Sequence, residues 1–198
     1  EISECLVGSE MCIRDRMYAG ARHALELRTR RTELLGIFEP DCMALGRWWA
    51  SSTARRSCRG GYGVLPVPAE LPGALDTLDA MLDGSRSAFE TFLRIPLPAR
   101  RRNIELDWKD YDDLSYLSGH SVGEAEGAMF DALVQTHASL DIPLIILSAG
   151  QLDAPQLGEL FYFLELTAAL CAAADGLNPF DRKRSSPTRA QAAALLRG

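Results

Sequence analysis

The longest regular pattern of apolar residues in the chain lies near its C-terminal end. Between residues 157 and 176, apolar side chains recur at spacings of three and four, the pattern of a helix with a buried face. Gly176, followed by Pro179, ends this run with a typical C-cap glycine and a helix-stopping proline. Glu159 and Glu165 lie inside the run, and carboxylates are costly in hydrocarbon. The pattern therefore predicts a central packing helix of a soluble domain rather than a membrane span.

Shorter apolar runs and amphipathic stretches alternate along the rest of the chain. Residues 142–147 form a continuous apolar run, which is typical of a parallel strand covered on both faces. Strands that alternate with helices predict an α/β fold with a mainly parallel sheet. We expect strands at 34–38, 89–95 and 144–147, a short edge strand at 104–108, and helices at 18–31, 42–50, 75–84, 121–139 and 157–176.

Residues 1–16 do not follow these patterns. They show no clear helical or strand period, and they look like translated adapter or library sequence of the kind found at the ends of assembled reads. A short ordinary terminal segment is the alternative, and we favour it less. We therefore expect residues 1–16 to be a non-native leader outside the fold and the domain to span residues 17–198.

A second change of composition comes at residues 51–62, which are small, basic and rich in glycine and are predicted to form a loop. The functional interpretation of Arg55, Arg56 and Arg59 is phosphate binding, because guanidinium groups match phosphate oxygens in a bidentate manner. A solvated basic loop explains the same composition, and we favour that interpretation. Residues 63–72 are expected to continue as a connection that carries prolines.

Composition and charge narrow the possible partners. The 198 residues suffice for one domain with a sizeable core, or for part of a larger protein. A net charge of -6 gives no basic surface for nucleic acid. The cysteines are odd in number and form no Cys-x-x-Cys pair, which indicates a reducing compartment. The three histidines are far apart in sequence without metal-ligand spacing, so a zinc site has little support.

Four motifs resemble those of glucose-6-phosphate isomerases. The most specific is the apolar helix that ends in Asn-Pro-Phe-Asp, as the family's signature near its C-terminus does. His137 matches a histidine of the family that follows Leu-Ala. We assign it no chemistry, because a lone histidine at a helix end is more often a capping or packing residue. The motifs lie at 178–181 (Asn-Pro-Phe-Asp), 39–40 and 48–49 (Glu-Pro, then Trp-Trp), 89–91 (Phe-Glu-Thr) and 114–119 (Leu-Ser-Tyr-Leu-Ser-Gly).

The resemblance implies a fold and a function. It covers the chain from about Tyr18 to its end, matches only the C-terminal part of an isomerase, and implies a three-layer α/β/α sandwich of the sugar-isomerase (SIS) type. The family is cytoplasmic and usually homodimeric, and it interconverts glucose 6-phosphate and fructose 6-phosphate in glycolysis and gluconeogenesis. The resemblance implies a sugar phosphate as the ligand, no cofactor, no metal, and no nucleic acid or membrane partner.

The resemblance also implies three catalytic positions in this region. The family has a glutamate in the loop after the Trp-Trp helix, a histidine in Asp-Leu-His-Ser, and a lysine about eight residues beyond Asn-Pro-Phe-Asp. Counting from the matched motifs places these on Arg55, Asp76 and Arg189, so all three are substituted. Arginine cannot act as a base at neutral pH. We therefore expect this chain to be inactive as an isomerase.

The substitutions fall where the family pattern disappears over several consecutive residues. Codons for residues 50–59 can be chosen so that a shifted frame reads Lys-Leu-Tyr-Gly-Glu-Lys-Glu, with glutamate at the position of Arg55. A shifted frame from Asp181 can read Pro-Lys-Ala-Phe-Glu-Pro-Tyr-Lys, with lysine at the position of Arg189. Asp76 needs no frame shift, because aspartate and histidine codons differ by one base. Our hypothesis is an isomerase gene with local frame errors, which the nucleotide sequence across codons 50–60 and 181–190 tests.

Three hypotheses of different classes follow. The first is a C-terminal piece of a glucose-6-phosphate isomerase, and the second is a non-enzymatic sugar-phosphate-binding SIS module, since such domains also serve as sensors in regulators. The third is a decayed fragment without a function of its own. A regulator would more often carry a DNA-binding helix-turn-helix, and none is evident in the sequence. The motifs therefore favour the isomerase origin.

Overall fold

The computed structural model describes residues 5–6, 11–58, 60–82, 87–95, 103–105, 113–150, 153–181 and 186–197, and for 5–6, 11–14 and 81–82 it describes the backbone alone. The strands are β1 (Cys5–Leu6), β2 (Thr32–Ile37), β3 (Leu65–Glu70), β4 (Ala88–Arg94) and β5 (Leu144–Ser148). The helices are α1 (Met11–Leu27), α2 (Met43–Arg56), α3 (Leu75–Leu82), α4 (Val122–Ser139), α5 (Ala154–Ala174) and α6 (Pro187–Arg197).

The described strands form one parallel sheet with the order β1-β5-β4-β2-β3. β2 is central, because it pairs along its whole length with β3 on one side and with β4 on the other. Each connection between consecutive strands carries a helix, as parallel neighbours require. The predicted α/β fold with a parallel sheet is confirmed, and the three main predicted strands agree with β2, β4 and β5 within two residues.

Helices cover both faces of the sheet and enclose two apolar cores. Side chains alternate along each strand, so Leu35 points into one core and Leu34 into the other. The first core lies under α1, α2 and α5 and contains Tyr18, Leu35, Ile37, Trp49, Phe89, Leu93, Leu160, Phe163 and Leu164 among others. The second core lies under α3 and α4 and contains Leu34, Leu71, Leu78, Ala88, Phe92, Phe130 and Leu133. The molecule is therefore a three-layer α/β/α arrangement.

Helix α5 is the central packing helix that the apolar pattern predicted. It begins at the N-cap Asp153, whose side chain accepts a hydrogen bond from the backbone N–H of Gln156 at 2.9 Å. On its buried face the Phe163 ring stacks on Tyr18 of α1 with a centroid distance of 5.6 Å. Each fully buried leucine or phenylalanine contributes about 1.5–3 kcal/mol to folding. The prediction that this helix packs against the sheet is confirmed.

Among the described helices, α5 alone is long and apolar enough to cross a membrane by length and composition. Core helices of soluble proteins pass the same test. The face of α5 that includes Leu160, Leu164 and Ala168 lies in the first core. The packing therefore supports the interpretation of α5 as a core helix.

Two sequence predictions between β2 and α3 are wrong. The predicted loop at 51–62 is helical as far as Arg56, because Ser52 and Thr53 are buried and tertiary packing outweighs a weak local propensity. The predicted connection at 63–72 contains strand β3, which lies at the sheet edge. Proline is tolerated in an edge strand, so Pro66 and Pro68 were misleading signals against a strand.

The predicted boundaries near the N-terminus also need correction. Within residues 1–16, Cys5 and Leu6 pair with β5 and helix α1 begins at Met11, so these described residues belong to the fold, while 1–4 and 7–10 lie outside the described residues. Asp15 in this helix is fully buried. The adapter-like origin of the segment stays a prediction. Helix α1 also ends at Leu27, four residues before the predicted end.

The predicted edge strand at 104–108 is not seen in the residues that the structure describes. Asn103 forms an isolated antiparallel bridge with Ser121, residues 104–105 belong to no strand, and 106–108 lie outside the described residues. Helix α4 begins with a capping box in which Ser121 and Glu124 bond each other's backbone N–H groups. This cap sets the start of α4 where the sequence predicted it.

Candidate functional site

Arg55 lies in the last turn of α2, and its side chain is exposed. The neighbouring Arg56 forms an ion pair with Glu165 on α5, and Ser52 donates a hydrogen bond to the same carboxylate at 3.0 Å. Arg56 thus ties α2 to α5. Arg59, the third arginine considered for phosphate binding, lies outside the described residues.

Asp76 lies in the first turn of α3 and is exposed. A carboxylate there interacts favourably with the helix dipole. Arg189 lies in α6, where its side chain is also exposed and its backbone N–H donates to the Ser186 hydroxyl at 3.4 Å. Helix α6 contains no buried residue. The three candidate positions, Arg55, Asp76 and Arg189, lie in α2, α3 and α6 respectively.

The topology places Arg55 toward the N-terminal end of strand β3 and Asp76 beyond its C-terminal end. α2 runs back toward the start of β3, and Arg22 holds the end of the intervening loop there by donating to the carbonyl of Val64 at 3.0 Å. Asp76 follows the end of β3, where the backbone N–H of Ala74 donates to the carbonyl of Glu70 at 2.9 Å. Six residues of strand span about 20 Å. The two positions therefore lie at opposite ends of this strand.

The Asn-Pro-Phe-Asp motif follows a Schellman C-cap at the end of α5. Gly176 has φ 71°, and its N–H donates to the Ala173 carbonyl at 3.0 Å while the Leu177 N–H donates to the Ala172 carbonyl at 2.8 Å. Only glycine adopts this φ without strain. Asn178 then accepts the Phe180 backbone N–H through its side-chain oxygen at 3.0 Å. The motif is thus a structured turn that redirects the chain away from α5.

A buried ionic network under the first core was not predicted from the sequence. Arg22 of α1 and Glu33 of β2 are 1% and 0% exposed, and the closest guanidinium–carboxylate distance is 2.9 Å. Tyr18 donates to the same carboxylate, as does the Thr91 hydroxyl at 2.7 Å. Burial alone would lower the pKa of Arg22, but the Glu33 charge more than offsets this and raises it. The guanidinium also lies over the Trp49 ring at 5.1 Å.

A second buried cluster lies on the other face of the sheet, between β4, α4 and α3. His137 is 2% exposed, and its Nδ1 lies 2.6 Å from a carboxylate oxygen of the fully buried Glu90. Its Nε2 lies 2.9 Å from a carboxylate oxygen of Asp79, whose side chain is half exposed. Both ring nitrogens are therefore engaged. The structure agrees with the interpretation of His137 as a packing residue, and it offers no free nitrogen for catalysis or a metal.

The environment shifts the pKa values of this cluster in one direction. Burial raises the pKa of Glu90, and the bond to His137 offsets only part of this. Burial alone would lower the pKa of His137, but hydrogen bonds and charges of Asp79 and Glu90 raise it overall. The folded state therefore holds protons that the unfolded state releases at lower pH. The stability from His137 is present below the ordinary histidine pKa and is lost as pH rises through its raised value, while that from Glu90 is present below the ordinary glutamate pKa and is lost as pH rises through its own raised value.

We expect the stability advantage of the wild-type chain over His137→Gln to be smaller at pH 8.5 than at pH 5.5, by on the order of 1 kcal/mol. Urea unfolding at both pH values measures it. His120→Gln is the matched control, because His120 faces Glu124 at 4.0 Å on the exposed surface. An advantage of equal size at both pH values would contradict a raised histidine pKa in the folded state.

The comparisons with known proteins agree with the sequence motifs. The chain is similar to glucose-6-phosphate isomerases of Listeria monocytogenes serotype 4b (strain F2365), Clostridium tetani and Enterococcus faecalis, at 29%, 28% and 27% identity over 180 residues. The alignments cover 90% of this chain and 40% of each relative, so the chain spans about two-fifths of the length of the curated relatives it matches. No family model matches the chain. The resemblance predicted from the motifs is confirmed.

Comparison with solved structures supports the fold. The structure is similar to that of the hypothetical protein TT0462 from Thermus thermophilus, with a TM-score of 0.78 and 16% sequence identity. The similarity covers 93% of this chain and 45% of that chain. At this identity the likeness shows a shared α/β architecture and nothing about activity.

Proposed function

We propose that this chain is the C-terminal SIS-type domain of a protein related to glucose-6-phosphate isomerases, and that as written it does not catalyse isomerisation. The observation that carries the proposal is the similarity over 180 residues combined with substitutions at all three expected catalytic positions. These are Arg55, Asp76 and Arg189. The natural ligand of the intact protein would be a sugar phosphate in the cytoplasm.

The proposed reaction moves a proton between adjacent carbons through an enediol and requires opening of the sugar ring. A carboxylate suits the first task, because burial can raise its pKa toward neutrality. Arg55 stays protonated and cannot accept a proton from carbon. Asp76 and Arg189 replace the histidine and lysine, so the neutral base that histidine offers near pH 7 is missing.

The geometry supports the proposal independently of residue identity. Arg55 and Asp76 flank opposite ends of β3, and we infer that one copy of this domain does not close a site around one substrate molecule. A site that uses both positions requires a second polypeptide surface. This fits a homodimer, which the resemblance implies, and a further domain within the part of the relatives that the chain does not span.

We expect the purified chain to show no conversion of fructose 6-phosphate to glucose 6-phosphate in an assay coupled to glucose-6-phosphate dehydrogenase. The Listeria isomerase serves as the positive control and Asp76→Ala as the matched variant. Turnover by the unchanged chain that Asp76→Ala abolishes would show that the site is functional and the proposal wrong. Calorimetric binding of fructose 6-phosphate without turnover would instead support the non-enzymatic SIS module.

A further inference from the structure

Three side chains with metal-binding atoms converge where α1 and α5 end. His23 and Glu26 are one turn apart on α1, and Asp175 is the C-cap residue of α5. One ligand atom from each lies within 4.8 Å of the other two. The Nδ1 atom of His23 is 3.2 Å from a carboxylate oxygen of Asp175 and 4.0 Å from one of Glu26.

The polar atoms of this group are buried and incompletely satisfied. The side chains of Glu26 and Asp175 are only 7% and 3% exposed. Among the described residues, neither His23 Nδ1 nor the Oδ2 atom of Asp175 has a hydrogen-bond partner. The imidazole of His23 and two buried carboxylates thus face one another, and the Oδ2 atom of Asp175 has no hydrogen-bond partner among the described residues.

We propose that His23, Glu26 and Asp175 form a binding site for a divalent transition-metal ion of the zinc class. Ligand atoms about 2.1 Å from a tetrahedral metal lie about 3.4 Å apart, and here His23 lies 3.2 Å and 4.0 Å from the two carboxylates, with all three ligand atoms within 4.8 Å of one another. Imidazole with carboxylates is a donor set that suits zinc, whereas magnesium prefers oxygen ligands alone. His23 is 29% exposed, which leaves a route to solvent and a position for water as the fourth ligand.

A second contact orients one ligand of the site. The backbone N–H of Gly63 donates to the Oε1 atom of Glu26, while the Oε2 atom is the one nearer His23. Such outer contacts hold metal ligands in place. Gly63 has φ 91°, and a Cβ there would lie 2.3 Å from the Ser57 carbonyl oxygen, so the loop backbone approaches this closely only with glycine. A bound ion would therefore join α1, α5 and the loop before β3.

The other two histidines show why this site differs from an ordinary ion pair. At His137 the two carboxylates lie on opposite ring nitrogens, so no three ligand atoms converge. At His120 the facing Glu124 is exposed and no third ligand among the described residues joins the pair. Sequence spacing offered little support for zinc because Asp175 is distant in the chain from the His23–Glu26 pair. Only the packing of α1 on α5 brings them together.

Titration with Zn²⁺ by calorimetry tests the site in the unchanged chain, His23→Ala, Asp175→Asn and the matched control His120→Ala. All four retain the same cysteines, so zinc bound by thiols appears equally in each. We expect one Zn²⁺ site in the unchanged chain and in His120→Ala, and a loss of at least about tenfold in its affinity in the other two, since even loss of an outer-shell partner costs this much. We expect Mg²⁺ to bind more weakly.

Circular dichroism of each variant checks that weaker binding does not reflect unfolding, and the partly exposed His23 makes His23→Ala the safer of the two ligand variants. Equal Zn²⁺ binding in all four proteins would place the metal elsewhere and overturn the proposal. No binding to the unchanged chain would also overturn it, and the group would then be a buried ion pair only.

Discussion

Replacing Arg22 with methionine is expected to lower the free energy of unfolding by about 3–5 kcal/mol, because it leaves the fully buried Glu33 carboxylate without its cation. Tyr18 and Thr91 still donate to that carboxylate, but two hydroxyl groups do not neutralise a buried charge. Most domains are stable by only about 5–15 kcal/mol, so this single change threatens the fold. Unfolding of the variant and of the unchanged chain in guanidinium chloride measures the loss of unfolding free energy.

Two matched variants separate the buried charge from ordinary loss of a side chain. Arg56→Met removes an arginine whose ion pair with Glu165 is about one-third exposed, and we expect a cost within about 1 kcal/mol. Arg22→Met combined with Glu33→Gln removes both charges while keeping an acceptor for the two hydroxyls. This double variant should be more stable than Arg22→Met alone. If Arg22→Met costs no more than Arg56→Met, the network does not hold a buried charge.

The network shows which parts of the structure the sequence signals and which it does not. Glu33 and Glu90 each interrupt an otherwise apolar strand, and that interruption is a visible sign of a buried, partnered carboxylate. Their partners are not visible in the same way. Arg22 and His137 lie on helices that meet those strands only after the sheet has formed, so the pairing depends on register and helix packing.

The fold was more predictable than the candidate site for a similar reason. Long apolar periods and a continuous buried strand depend on local sequence, and they predicted β2, β4, β5 and α5 nearly as observed. Strand β3 was missed because Pro66 and Pro68 argue against a strand. They are tolerated only because β3 lies at the edge of the sheet, and that position is a property of the whole sheet. The site positions came from counting along matched motifs, and counting carries no information about which end of the strands each position lies near.

The placement of positions 55 and 76 at opposite ends of β3 leads to the largest expected effect. We expect the triple change Arg55→Glu, Asp76→His and Arg189→Lys to leave this chain inactive toward fructose 6-phosphate, although it restores every catalytic residue type that the resemblance implies. Positions 55 and 76 remain at opposite ends of β3, a six-residue strand that spans about 20 Å. The 198 residues also span only about two-fifths of the relatives' length, and we expect the positioning that makes proton transfer fast to need the remainder.

The same three changes are expected to give turnover when the chain is fused behind the part of the Listeria relative that precedes the aligned region. The rate should exceed that of the unrepaired fusion by at least about 100-fold, because a positioned acid–base group contributes at least that much. The coupled assay compares the repaired and unrepaired fusions with the repaired chain alone. An active unrepaired fusion would show that position 55 does not carry the base. A repaired chain that is as active alone as in the fusion would show that one copy of this domain holds the complete site. Substrate would then not bind at the two opposite ends of β3.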